Sequence, residues 1–449
     1  MSSWRSRRRI VLLVAWLSSA LVPVPGVPQA RSRMLAPAVP VVRTARAVFV
    51  APPGDASGGE GSFGNPFGDV QRAIEAAHAS GTVRLLPGRY RLRPVAYADS
   101  TCANCQRPDT LIQATRALIV RGSGVHLVGA GASRTVLETH AGYGVLFERC
   151  EDCALESLTV TGGERDMSGA ASDAAVVVKG GRVSLRALEL ADNLGDSATV
   201  RRTVVGIMGV TGRDGAELLV EGCRIVRNSW DGVGLYHGVR AVITDNWIDG
   251  VDRAVGGRHG GGRGVGIGVT WDARAQVRGN AVRRYWKGIG AFVDAQVVAE
   301  ENVVEEIATW GLTLWDADRG RPHGTFARNA VYRTGACGVS VWRGDSVPPE
   351  PGSVIGNALV ETGQNAKYDA GDVYRSQRAL ALDRLPQALK VADNVLLPNR
   401  EAGGKRGGAD VDSTEFAARV RSLLEALERR PALRETAFMG RFGGGTVGR

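Results

Sequence analysis

The residues predict an all-β solenoid of short stacked coils, and three observations carry that prediction. A hydrophobic residue, two spacers, a fixed slot, one spacer and a second hydrophobic residue recur along the chain, as in Ile243, Asn246, Ile248 and Phe326, Asn329, Val331. The slot is Leu158, Leu188 and Cys223 early on, then Asn246, Asn280, Asn302, Asn329, Asn357 and Asn394, in steps of 30, 35, 23, 34, 22, 27, 28 and 37 residues. The shortest steps define the unit, and the longer ones are the same unit with inserted loops. Second, each slot run is followed by another strand-like run, such as Gly311 to Trp315 or Gly338 to Trp342, with Gly, Asn and Asp between them. That pattern gives strands and turns without helices. Third, the slot is polar in six successive units. Stacked amides satisfy one another along an axis, so a buried Asn per coil is what stacking of such units requires.

A coil of this size cannot bury its own apolar face, so the units must pile up, nine of them over the slots counted. A leucine-rich horseshoe is the rival repeat architecture, since Leu155, Leu158 and Val160 match its strand. Its convex side needs a helix or Leu-rich turn, where this chain supplies another strand. From Val48 to Pro398 the chain resembles the right-handed parallel β-helix, or pectate-lyase-like, superfamily. The resemblance implies a secreted β-helix closed at its first coil by a short helix, with function on outward side chains and loops.

In chain order, Arg5, Arg7, Arg8 and Arg9 precede an apolar run from Ile10 to Val22 and a Pro-rich stretch. This is the order of a secretory signal over 1–30, and Ser6 to Ile10 also matches a twin-arginine signal. The apolar run is too short to span a bilayer comfortably, so no stable membrane insertion is expected. Residues 31–46 read as a linker. The β-helix domain follows over 47–398. It opens with a strand at Val48 to Val50, a helix over Asp69 to Ser80 capped by Asp69, and a strand, Pro-Gly turn and Tyr90, the entry segment of many secreted β-helix proteins. In 399–449, Asp412 to Arg430 reads as an amphipathic helix with Phe416, Val420, Leu423, Leu424 and Leu427 on one stripe, suited to covering the last coil or a partner. A Gly-rich tail follows it.

The formal charge of +10 sits at the ends. Residues 1–46 hold eight Arg and no acid, and residues 400–449 hold ten basic against seven acidic residues, which leaves the solenoid at −1. Overall basicity therefore gives no reason to expect a nucleic-acid partner. Within an insertion at 97–115, Cys102 and Cys105 form one C-x-x-C, and Cys150 and Cys153 a second. Disulfides, within each pair or between the two, compete with a four-thiolate zinc site. Cys223 and Cys337 read as packing residues.

Lining up the second strand of each unit places Tyr236 with His237, Trp271 with Asp272, Val293 with Asp294, Trp315 with Asp316 and Trp342 with Arg343. Asp272, Asp294 and Asp316 recur at 22 and 22 residues. Carboxylates on successive coils would lie about 5 Å apart and two coils apart about 10 Å, which suits retaining or inverting glycoside hydrolysis respectively. Crowded carboxylates would also split their pKa values or bind a cation such as calcium. The same Asp residues each open a turn, which is ordinary turn chemistry. Ile267 and Val269 point inward before Asp272, but Leu312 and Leu314 before Asp316, so one of the three is expected to face differently.

A second cluster is basic: Arg253, Arg258, Arg263, Arg274, Arg278, Arg283, Arg284 and Lys287, with His259 in the Gly-rich loop. Hung over the aromatic row, it would supply a cation for a uronate carboxylate and a base, His237, His259 or Tyr236, for the C5 proton. As a solvated Arg-rich loop it would do neither. Tyr236, Trp271, Trp315 and Trp342, with Arg258, Arg263 and Arg343, are the candidate substrate contacts. The Asn-Thr-Asp and paired Asp-Asp of polygalacturonases and the Asp-Pro-His-Glu of alginate epimerases are absent. No catalytic residue therefore carries over from the resemblance. The functional expectation is an exported protein that cleaves a polysaccharide, acidic or neutral, by elimination or hydrolysis. A non-catalytic glycan-binding or envelope-scaffold solenoid is the alternative, and metal handling by the Cys pairs is the third.

Overall fold

In the computed structural model the description covers residues 47–443 except 53–57, 78–79, 169, 171, 251–263, 318, 343–351, 369–377, 384–388, 398, 401–405 and 408–412. The backbone winds into a right-handed parallel β-helix with three faces. Face A contains Met208–Arg213, Val233–Leu235, Val265–Thr270, Lys287–Phe292, Trp310–Trp315, Cys337–Trp342 and Arg378–Asp383, each hydrogen-bonded in parallel to the next. Face B contains Glu217–Glu221, Arg240–Thr244, Arg274–Arg278, Gln296–Glu300, His323–Ala327, Gly352–Ile355 and Leu389–Ala392. The long strands Tyr143–Glu156 and Ala174–Arg186 run around the corner from A to B. Face C is an 11-stranded parallel sheet from Gly88–Arg91 to Val395–Leu396. Two of its strands, Gly88–Arg91 and Thr135–Glu138, precede the first recognisable slot.

The slot is the corner between faces B and C. Each residue before it (Ser157, Ala187, Gly222, Asp245, Gly279, Glu301, Arg328, Gly356 and Asp393) is left-handed, with φ from 48° to 69°. A left-handed residue reverses the chain in one step, at a cost of order 1 kcal/mol when it is not Gly. The Asn amide offsets that cost. The Asn302 amide nitrogen donates to the Asn329 Oδ1 at 2.9 Å and to the Val277 carbonyl at 2.9 Å. Its own Oδ1 accepts from the Asn280 amide at 3.0 Å and the Asn280 backbone N–H at 2.9 Å. The pattern repeats from Asn246 to Asn394, and Cys223 N–H hands the top of the ladder to Asn246. Asn302→Ala would strand the Asn280 backbone N–H and remove one of the two donors to Asn329 Oδ1 in a dry corner. It is expected to cost about 2 kcal/mol, read as a lower urea midpoint at unchanged m-value.

Inside, the core is one continuous column of aliphatic side chains from Val48 to Val354 and Leu359. Its first coil is closed by the helix Val70–Ala77, which buries Val70, Ala73 and Ile74. Asp69 caps it, accepting from Arg72 N–H at 2.8 Å. Gln71 completes the closure: its amide accepts from Ile119 N–H at 2.9 Å and donates to Ile119 C=O at 3.1 Å, standing in for a neighbouring strand.

The C-terminal region departs from the expected single helix over the last coil. Ser413–Arg419 and Arg421–Glu428 are separate helices, followed by Ala437–Phe442, and Asp412 lies outside the described residues. They pack along the flank of face C, because its outward residues Ala281, Val303, Ala330, Tyr332, Ala358 and Val360 are apolar and receive Phe416, Leu424, Leu427, Phe438 and Phe442. Buried Glu305 accepts from Ala437 and Phe438 N–H at 3.1 and 3.0 Å, capping the last helix, and Arg430 ties the segment to corner residues Asp245 and Glu301.

Candidate functional site on face A

The outward residues of face A form a row in strict register: Glu148, Lys179 and Arg213, then Tyr236, Thr270, Phe292, Trp315 and Trp342. Its first half is charged and covered. Val95–Asp99 pairs antiparallel with Ile112–Ser123, and the hairpin so formed crosses the outside of the face. Asp99, fully buried, binds the Arg213 guanidinium, Lys179 Nζ at 2.7 Å and the Tyr143 hydroxyl at 2.9 Å. Burial alone would raise the Asp99 carboxyl, but Arg213 and Lys179 hold it below the ordinary value. The hairpin tip is closed by the Cys102–Cys105 disulfide, and Cys150 and Cys153 are bonded to each other in the core. The four-thiolate zinc reading is thereby replaced by two local disulfides.

The second half of the row is aromatic. Beside it, Gly234, Gly268 and Gly290 leave a strip of the face without side chains. A Cβ at Gly234 would lie 2.8 Å from the Tyr236 hydroxyl oxygen, and one at Gly290 2.7 Å from the Phe292 ring. Across the strip lie Val265, Lys287 and Trp310, again in register. The Lys287 ammonium sits 4.4 Å from the Trp286 ring centre, 5.0 Å from those of Trp310 and Trp315 and 5.3 Å from that of Phe292. Four rings around one ammonium attract it through their faces.

Asp231 closes the strip at the hairpin end. Its Oδ1 accepts from Val265 N–H at 2.6 Å, and the Tyr236 phenol lies near the carboxyl, its hydroxyl approaching Met208 Sδ at 3.7 Å. Gly264 lies against it; a Cβ there would come within 2.1 Å of Oδ1, and φ of 74° also favours glycine. Burial pushes the Asp231 carboxyl up to about 7, with Lys287 pulling the other way. The Tyr236 hydroxyl is raised by burial and by Asp231. A carboxyl pushed up by burial, with a phenol beside it and a cation two coils along, is equipped for proton transfer.

The residues singled out from sequence are placed differently. Asp272 and Asp294 occupy the same turn position two residues past the aligned Thr270 and Phe292, and both are exposed. The Asp272 carboxylate accepts from Gly238 N–H at 2.8 Å, a turn bond to the preceding coil. Asp316 follows the aligned Trp315 directly and is buried, so it stands one position earlier. The three therefore form no common row. Trp271, left-handed at φ 60°, falls off the row into the turn, where it stacks on His237 at 5.3 Å and 13°. His237 Nε2 in turn bonds the Cys105 carbonyl at 3.0 Å. Trp315 and Trp342 are neighbours on the row as expected. His259, Arg253, Arg258, Arg263 and Arg343 lie outside the described residues. The rest of the basic cluster disperses: Arg274 and Arg278 lie on face B, Arg283 on face C pairs with Glu306, Arg284 in the turn pairs with Asp249, and Lys287 alone reaches face A. Among the described residues no three His, Cys, Asp or Glu side chains converge, so no calcium site is built there.

Two recesses, of about 310 and 570 Å³, lie away from face A, on face C and at the turn after it. Their Arg linings are mostly engaged in ion pairs, Arg227 with Asp192 and Arg333 with Glu361 among them. They are places where charge ladders meet water.

No family model and no curated protein matches this chain. Solved structures with a similar chain path include the A-module of a mannuronan C-5 epimerase from Azotobacter vinelandii, at 16% identity and a TM-score of 0.38, covering 73% of this chain and 94% of that one. A pectate lyase matches at 17% identity and 0.36, covering 72% and 82%. The tailspike of Escherichia coli bacteriophage HK620, solved with a pentasaccharide, matches at 11% and 0.48, covering 73% and 57%. At these identities the likeness is one of fold alone: the chain is a right-handed parallel β-helix.

Proposed function

We propose that this chain is an exported enzyme that cleaves an acidic polysaccharide lying along face A. The observation that carries the reading is Asp231 beside Tyr236 at the hairpin end of an aromatic row, with Lys287 two coils farther along the file of Asp231. Elimination fits this set better than hydrolysis, which needs two carboxyl groups flanking the scissile bond; Asp231 is the carboxyl beside Tyr236, with Lys287 farther along its file. Lys287 faces the uronate carboxylate and lowers the cost of the carbanion beside it. The Asp231 carboxylate removes the C5 proton, the C4–O bond breaks as the C4–C5 double bond forms, and the Tyr236 hydroxyl gives its proton to the leaving oxygen. Proton transfer from Asp231 back to Tyr236 resets the pair. Phe292, Trp315 and Trp342 offer apolar surface to the sugar faces. Two disulfides suit an oxidising compartment, and no helix of the described residues is long and apolar enough to cross a membrane.

The test is a panel of polyuronates and neutral glycans, followed by the absorbance of the unsaturated uronate and by reducing ends. Asp231→Asn is expected to lower turnover by about 10²-fold or more with binding retained. Reducing ends without absorbance would make the chain a hydrolase. Binding without product from the native chain would make it a non-catalytic glycan binder.

A further inference from the structure

We infer that face A is closed to a glycan at its hairpin end, so that the chain works inward from the terminus of its glycan. This rests on the proposed function and adds its mode of action. The hairpin tip is a wall seated on the face: Asp99, Cys102 and Ala103 are all buried. Thr101 accepts from Arg213 through both its carbonyl and its hydroxyl at 2.8 Å, Cys102 Sγ approaches the Ala170 carbonyl at 3.7 Å, and the Cys105 carbonyl takes the His237 ring at 3.0 Å. The stacked His237 and Trp271 rings form the side of the wall that meets the rest of the face. Beneath the wall the row continues as Arg213, Lys179 and Glu148, but Asp99 and Tyr97 already hold those side chains. No sugar has room there.

Asp231 and Tyr236 belong to the first coil beyond the wall. From that coil to Trp342 the row runs four coil steps the other way, roughly 19 Å at about 4.8 Å per step. A glycan bound over Phe292, Trp315 and Trp342 would thus bring only its terminal part to Asp231. A strand of polymer continuing past the site in both directions would have to pass through the hairpin.

The experiment is a time course on polygalacturonate and polymannuronate with viscosity and product size read together. The expected result is one small product size from the first time point, with viscosity falling only in proportion to the residues released. A ladder of sizes with an early collapse of viscosity would overturn the closed end while leaving the proposed function standing. Absence of product from every glycan would overturn both. Binding gives a readout free of turnover. Asp231→Asn protein should bind short oligouronates about tenfold or more tightly than the same oligomers carrying a bulky block at each end, and equal affinity would refute the wall.

Discussion

Asp99→Ala is expected to destabilise the protein by about 3–5 kcal/mol, because it leaves the Arg213 charge buried without its partner. Arg213 is wholly inaccessible, and its remaining contacts are Thr101 and, at 3.9 Å, Asp214. Lys179 would lose its 2.7 Å partner and Tyr143 its hydrogen-bond acceptor in the same step. The hairpin should lift as well as the global stability fall, since Asp99 is the strand residue through which it is fastened. Exposed Leu111, beside the tip, then becomes a site of rapid thermolysin cleavage on its N-terminal side under native conditions. The double variant Asp99→Ala, Arg213→Met should regain most of the loss, since the buried guanidinium is gone and Lys179 keeps Glu148 at 3.7 Å. The sign with pH is set by the depressed carboxyl: its contribution is present above the ordinary Asp range and lost as pH falls through the lower folded value. Urea unfolding of the three proteins decides it. A loss below about 1 kcal/mol for the single variant would mean the network contributes little beyond its own desolvation.

What the sequence revealed and what it hid follow from the same geometry. The Asn slots were legible because each coil must solve the same problem, a buried amide at a left-handed corner, and must solve it at the same place. The corner after face A has no such constraint. Trp271 and Val293 take left-handed conformations there, whereas the turn after Trp315 places Asp316 directly past the row. A shift of one residue was enough to dissolve an evenly spaced Asp series. Asp231, in the run Trp230, Asp231, Gly232, reads as a turn residue, and nothing local announces that Lys287 lies along its file. That placement is set by the register between Val265 and Lys287, beyond an insertion whose length hides it. The basic cluster misled for the opposite reason. Residues close in sequence span a full coil here and so face three directions.

Between pH 5 and 7 the protein is expected to lose roughly 2 kcal/mol of stability for each of two buried carboxyls, Asp173 and Asp231. Asp173 is fully buried; one oxygen takes Arg165 and the Asp166 N–H at 2.7 Å, and the other has no hydrogen-bond partner. Burial pushes it up to about 7, Arg165 lowers it, and the neighbouring Asp166 carboxyl, itself raised by burial, pushes it further up. Both groups have folded values above the unfolded one, so their contribution is complete below about pH 4 and is lost as pH rises through 7. The depressed carboxyls Asp99, Glu148, Glu301 and Glu361 act in the opposite sense, below the ordinary carboxylate range and so outside this window. Asp173→Asn keeps an acceptor for Arg165 and the Asp166 N–H and cannot ionise. Its stability should therefore be flatter with pH than the parent's, equal or higher at pH 8 and lower at pH 5. Asp231→Asn should lower the slope further, leaving what the raised Asp166 and Glu305 carboxyls contribute. Parallel stability curves for parent and variants, measured by urea midpoint across this range, would show that neither carboxyl is protonated in the folded chain.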